Sequence, residues 1–122
     1  MSNSGPDLSV SRLIVVNIEE KEYHFIVREH PIVGKFISLF ENGKEYGLID
    51  KQIANKDKFI TSELTKLDYF NIDVLYLTPG WIWIGMDQFG LHAREATYNE
   101  VDVIMKLKED LYYIDIYEEM KM

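Results

Sequence analysis

The sequence predicts an α+β fold, an antiparallel sheet of about six strands built from hairpins with one or two helices packed on one face. Three observations carry this expectation. Apolar and polar residues alternate over short stretches, as in Tyr23-His24-Phe25-Ile26-Val27-Arg28, the period of a half-buried strand. Asn42-Gly43 stands between two apolar segments, and both residues tolerate the positive φ of a type I′ hairpin turn. Thr97-Tyr98-Asn99-Glu100 has the spacing of a capping box, in which the hydroxyl and the carboxylate each satisfy a free backbone N–H at a helix start.

Taken in order, residues 1–10 are small and polar and read as a flexible N-terminal segment, with one globular domain over 11–122. Arg12 to Ile18 is apolar on both faces and reads as a strand. Glu19 to Glu22 is a polar turn, and Tyr23 to Arg28 is a second strand, with Tyr23, Phe25 and Val27 on one face. Phe36 to Phe40 follows the break at His30-Pro31. Pairing Glu41 with Lys44 sets Leu39 against Tyr46 and Ile37 against Leu48 across the Asn42-Gly43 turn. Residues 50–58 are a polar connector with room for a helical turn. Leu64, Leu67 and Phe70 recur at helical spacing within 62–70.

Ile72 to Thr78 and Trp81 to Met86 form an expected hairpin around Pro79-Gly80. In that register Leu75, Leu77, Ile82 and Ile84 share one face, and Tyr76 stands opposite Trp83 beside Trp81 on the other. Asp87 to Ala96 reads as a loop. Beyond it the capping box opens a helix whose polar stripe is Asn99, Asp102, Lys106, Glu109 and Asp110. A rival pattern reads 101–108 as a strand turning at Glu109-Asp110, and the capping box favours the helix. In both cases Tyr112 to Tyr117 reads as a final strand, with Tyr113, Asp115 and Tyr117 facing outward.

Composition narrows the functions. Cysteine is absent, which excludes disulfides, thiolate metal sites and cysteine nucleophiles and fits a reducing compartment. No apolar run approaches the ~20 residues of a membrane span, and no basic segment precedes an apolar stretch, so neither a membrane anchor nor a signal peptide is expected. A cytoplasmic location follows as the expectation. Glycine-rich phosphate loops and metal-binding spacings are missing, and no cofactor is expected.

Charge is unevenly spread. Residues 1–67 hold ten acids and nine bases, a net of −1, whereas residues 68–122 hold eleven acids and four bases, a net of −7. From Glu109 to Glu119 there are five acids, three tyrosines and no base. A field of this sign steers basic partners and repels nucleic acid and anionic membranes.

Three candidate sites emerge. The first is the aromatic hairpin face of Tyr76, Trp81 and Trp83, residue types that anchor protein interfaces, with core packing as the plain alternative. The second is the acidic end of the chain, Asp110, Tyr113, Asp115, Tyr117, Glu118 and Glu119. Its carboxylates would steer and pair, its tyrosines would supply contact area, and the plain alternative is a solvated face. The third is the segment Asp87 to Glu95, with His92 as a general base, Arg94 as an anion stabiliser and Asp87 and Glu95 as carboxylates. Polar residues collect in loops for solvation alone, which weighs against this enzymatic reading.

Small, acidic, cysteine-free, tyrosine-rich domains without a catalytic motif fit the charge logic of inhibitors of basic proteins. The expectation is a non-enzymatic, protein-binding domain of the bacterial immunity-protein or antitoxin type, which occludes the active site of a basic toxin or nuclease. The alternatives are a small enzyme built on His92 and an assembly or adaptor subunit of phage or secretion machinery. A homo-oligomer is compatible with each.

Overall fold

Among the described residues, a meander of six antiparallel strands, in the sheet order β1 to β6, is interrupted by three short helices and followed by one long one. The computed structural model describes residues 9–32, 34–67 and 70–121, and of 9–11, 30 and 112–121 the backbone alone. The chain divides into two compact units, residues 1–37 with 98–122, and residues 38–97. The third strand, β3 (Gly34–Glu41), crosses this division in sequence.

In the first unit β1 (Ser9–Ile18) and β2 (Lys21–His30) form a hairpin in which Ile14 faces Phe25 and Val16 faces Tyr23. Two residues, Glu19 (φ 52°) and Glu20 (φ 68°), make the turn in the left-handed region, unusual for non-glycine residues. Tyr23, Phe25 and Val27 are buried on one face as their alternation predicts. The rings of Tyr23 and Phe25 stack at 5.9 Å. Helix α4 (Tyr98–Lys121) contributes Glu100, Ile104 and Leu111 to buried positions at helical spacing. Its predicted polar stripe, Asn99, Asp102, Lys106, Glu109 and Asp110, is exposed.

In the second unit β3 and β4 (Lys44–Asp50) pair Leu39 with Tyr46 and Glu41 with Lys44 around Asn42 (φ 53°) and Gly43 (φ 77°). This is the register and turn that the Asn-Gly pair predicts. Three side-chain caps then punctuate the connector. Asp50 caps α1 (Lys51–Lys56) through the Gln52 N–H, Asp57 caps α2 (Lys58–Leu64) through the Ile60 N–H, and Asn71 caps α3 (Ile72–Tyr76) through the Val74 N–H. Each satisfies a backbone donor that the first helical turn leaves free. The helical spacing predicted over 62–70 is realised earlier, in α2, and residues 68 and 69 lie outside the described ones. Ala54, Leu64, Phe70 and Leu75 pack with Ile82 and Ala93 into this unit's core.

Three expected elements are corrected. The strand expected over Ile72 to Thr78 is helix α3, so Tyr76 does not face Trp83. Strand β5 (Trp81–Asp87) takes β4 on one edge and β6 (Gly90–Glu95) on the other, which leaves no edge for a hairpin around Pro79-Gly80. The expected loop 87–96 is largely β6, entered by a tight turn with Gly90 at φ 116°. The final strand Tyr112 to Tyr117 is helix, because α4 runs unbroken to Lys121. Its tyrosines and isoleucines favour strands in isolation, but the apolar spacing Ile104, Leu107, Leu111, Ile114 continues one helical stripe.

Candidate functional site

Residues directly opposite on neighbouring antiparallel strands share a face. On β4, β5 and β6 this groups Leu48, Trp83 and Arg94, and Gly85 with His92. Leu39 and Tyr46 pair on β3 and β4. Trp83, the middle of this face, is fully buried at 0% exposure. It is a core side chain here, and the aromatic surface expected of Tyr76, Trp81 and Trp83 does not assemble. Trp81 is half-buried at the start of β5, and Tyr76 is 48% exposed on α3.

Gly85 explains how side chains two strands apart meet. A Cβ there would lie 2.2 Å from the Glu45 carbonyl oxygen and 2.6 Å from His92 Nε2, closer than real atoms approach. With no side chain in between, Tyr46 meets His92 edge-on, ring centroids 4.8 Å apart at 83°, a favoured aromatic geometry. Arg94 donates from Nε and Nη2 to the two oxygens of Glu41 at 2.8 and 3.1 Å, the bidentate fork that makes Arg–carboxylate pairs strong. A third bond runs from Nη1 to the Glu95 carbonyl.

The proposed chemistry of 87–95 is thereby partly assembled. His92 Nδ1 lies 3.8 Å from Asp87 Oδ2, with the imidazole 12% exposed. This is ion-pair distance and too long for a hydrogen bond. Asp87 Oδ1 instead accepts from the Phe89 N–H at 2.8 Å, tightening the turn. His92 Nε2 is buried with no hydrogen-bond partner among the described residues. Glu95 is drawn away to the ammonium of Lys51, which is itself buried. A base with a free nitrogen and a nearby carboxylate is therefore present, while the cation beside it is committed to Glu41. Among the described residues no group of three or more His, Asp or Glu is placed to hold a metal.

Sequence reasoning named Asp87, His92, Arg94 and Glu95 but missed Glu41, Tyr46 and Gly85. A glycine inside an apolar strand pattern marks a close approach, so Gly85 was the available signal.

Two further surfaces complete the inventory. Phe59 and Ile60 of α2 with Ile84, Gly85, Met86 and Leu91 line an apolar groove of about 250 Å³, in which Phe59 and Met86 are more than half exposed. On α4, Asp102, Glu109 and Asp110 are exposed, whereas Glu100 is buried and accepts from Tyr23 Oη at 2.6 Å. The side chains of Tyr113, Asp115, Tyr117, Glu118 and Glu119 lie outside the described ones. Their helical backbone corrects the expected shared face. At ~100° per residue, positions 113 and 115 fall on opposite sides of a helix and 113 and 117 on the same side. None of the described helices is long and apolar enough to cross a membrane. Compared with protein-family models, with curated proteins and with solved structures, the chain matches none.

Proposed function

We propose that this chain is a non-enzymatic, protein-binding domain that inhibits a basic protein, in the manner of an immunity protein or antitoxin covering the active site of a basic toxin or nuclease. The observation that carries the reading is the net charge of −7 on residues 68–122. Asp102, Glu109 and Asp110 are exposed along α4, where solvent-facing carboxylates steer an approaching cation. One of the four bases of this half, Arg94, is engaged by Glu41 and does little to offset the field. A basic, active-site-bearing surface that binds polyanions is the complement of such a helix.

The test uses the full chain, immobilised and exposed to a lysate of the cells that make it at about 0.05 M and about 0.5 M salt. A basic protein retained at low salt and released at high salt is expected. With that protein in hand, Asp110→Lys should slow association far more than Glu29→Lys, which changes net charge equally at an exposed position of β2. An on-rate that ignores salt, or equal effects of the two variants, would refute the reading.

The proximity of Asp87 to His92, with no hydrogen-bond partner for Nε2 among the described residues, favours a second reading, a small enzyme using His92 as its base. His92→Phe keeps an aromatic edge contact with Tyr46 and removes the free nitrogen. Loss of a measurable turnover in that variant, with stability unchanged, would support this reading over the first.

A further inference from the structure

The two ends of the sheet order are unlike. Edge strands expose a row of unpaired backbone groups, and proteins guard them with short length, charge, proline, bulges or a covering element. The β6 edge is guarded. It is six residues long and carries His92, Arg94 and Glu95, and α2 packs beside it. The β1 edge is not. It is ten residues long with no proline, Arg12 is its one charge, and its one bulge lies at its start between Val10 and Arg12. No strand lies beyond it among the described residues.

The face of β1 turned away from Phe25 is apolar and open. Leu13 is 57% and Val15 52% exposed, and their cross-strand neighbours are Ile26 and His24. Charge selects what such an edge can meet. The chain carries −8, so two copies repel over most of their surface. Strand β1, Ser9 to Ile18, is the one strand of the six without an acid, and it is where a second copy meets least repulsion. Its sequence is also self-complementary in antiparallel pairing. With Ile14 opposite Ile14 of the second copy, Leu13 faces Val15 twice, and the row Ile26, Leu13, Val15, His24 runs across the seam on one face.

We propose that β1 pairs antiparallel with β1 of a second copy, joining two sheets edge to edge about a twofold axis centred on Ile14. The partner copy completes the backbone hydrogen bonds of the edge and covers Leu13 and Val15. A single strand edge falls short of the ~800 Å² per partner of a standard interface, so the dimer is expected to be weak, with a dissociation constant on the order of 1–100 μM.

Sedimentation of the full chain from about 1 to about 300 μM should show a monomer passing to a dimer. Over the same range, hydrogen exchange at the β1 amides should slow with concentration. Val15→Lys and Leu13→Lys each place like charges at the seam and should weaken the dimer about tenfold or more. Both sites are exposed, so the thermal midpoint should stay put. Met86→Lys, in the apolar groove, should leave the dimer intact. A wild-type chain monomeric throughout, or β1 amides that exchange alike at both ends of the range, would overturn the proposal. A dimer broken by Met86→Lys and untouched by Val15→Lys would also overturn it, by assigning the contact to the groove. Should either lysine variant unfold, the wild-type exchange experiment alone decides.

Discussion

Trp83→Ala separates a core residue from an interface anchor more sharply than any other substitution in this chain. Trp83 is fully buried on β5, between Leu48 and Arg94 in the strand register. A buried tryptophan removes roughly 150–250 Å² from water, worth about 4–6 kcal/mol at ~25 cal/mol per Å². Extended-chain areas overstate burial, and truncations of this kind cost about 3–5 kcal/mol. Against a total of roughly 6–18 kcal/mol for a chain of 122 residues, the loss is a large share of the stability. Urea unfolding followed by far-ultraviolet circular dichroism is the suitable assay, because the substitution deletes one of only two tryptophans and so compromises fluorescence. With a slope of ~1–3 kcal/mol per molar, the midpoint should fall by about 2 M. Trp81→Ala, at a half-buried position, should cost less. A Trp83→Ala midpoint within ~0.5 M of wild type, with partner binding lost, would refute the core assignment and restore the aromatic interface.

Four further outcomes are expected. Tyr23→Phe withdraws a hydroxyl donor from the buried Glu100 carboxylate and should cost about 1.5–3 kcal/mol in urea unfolding; a loss below ~0.5 kcal/mol would mean that other donors suffice. Gly85→Ala drives a methyl group into the Glu45 carbonyl and the His92 ring. It should cost at least about 2 kcal/mol, and an unchanged melting temperature would contradict the close approach. Glu20→Gly relieves a left-handed glutamate at φ 68° and should stabilise by about 0.5–1 kcal/mol, read as a melting temperature raised by a few degrees; a fall would contradict the turn. Gly43→Val sets a β-branched residue at φ 77° and should lower stability by about 1–3 kcal/mol, with an unmoved urea midpoint as the contrary result.

What could be read from the sequence was local. The turn at Asn42-Gly43 was legible because both residues announce the same backbone conformation and the flanking alternation fixes the register. The buried row Tyr23, Phe25, Val27 was legible for the same reason, as was the start of α4 with its polar stripe. The misreadings share a cause. Ile72 to Tyr76 is too short for periodicity to separate helix from strand, and the outcome was set by the Asn71 cap and by which strands already flank β5. Gly90 to Glu95 looked like a loop because its polar residues, His92 and Arg94, sit on a face where Tyr46 and Glu41 receive them. Those partners come from distant sequence and leave no mark beside His92. The burial of Trp83 belongs to the same class: alternation assigned it a face, but only the fold decides whether that face meets water.

The first unit is assembled from the two ends of the chain, residues 1–37 and 98–122, while residues 38–97 are contiguous. Tyr23 and Glu100, which bond within that unit, are separated by 77 positions. Closing so long a loop costs on the order of 4 kcal/mol in chain entropy before any contact repays it. The contiguous unit closes only hairpins and short helical connectors and has no such wait. During synthesis it is complete in sequence before α4 is made, whereas the bond from Tyr23 to Glu100 waits for roughly the last fifth of the chain. Folding should therefore show a late phase in which the Tyr23–Glu100 bond forms, and truncation before Tyr98 should deprive the N-terminal hairpin of that bond while leaving the middle of the chain able to fold.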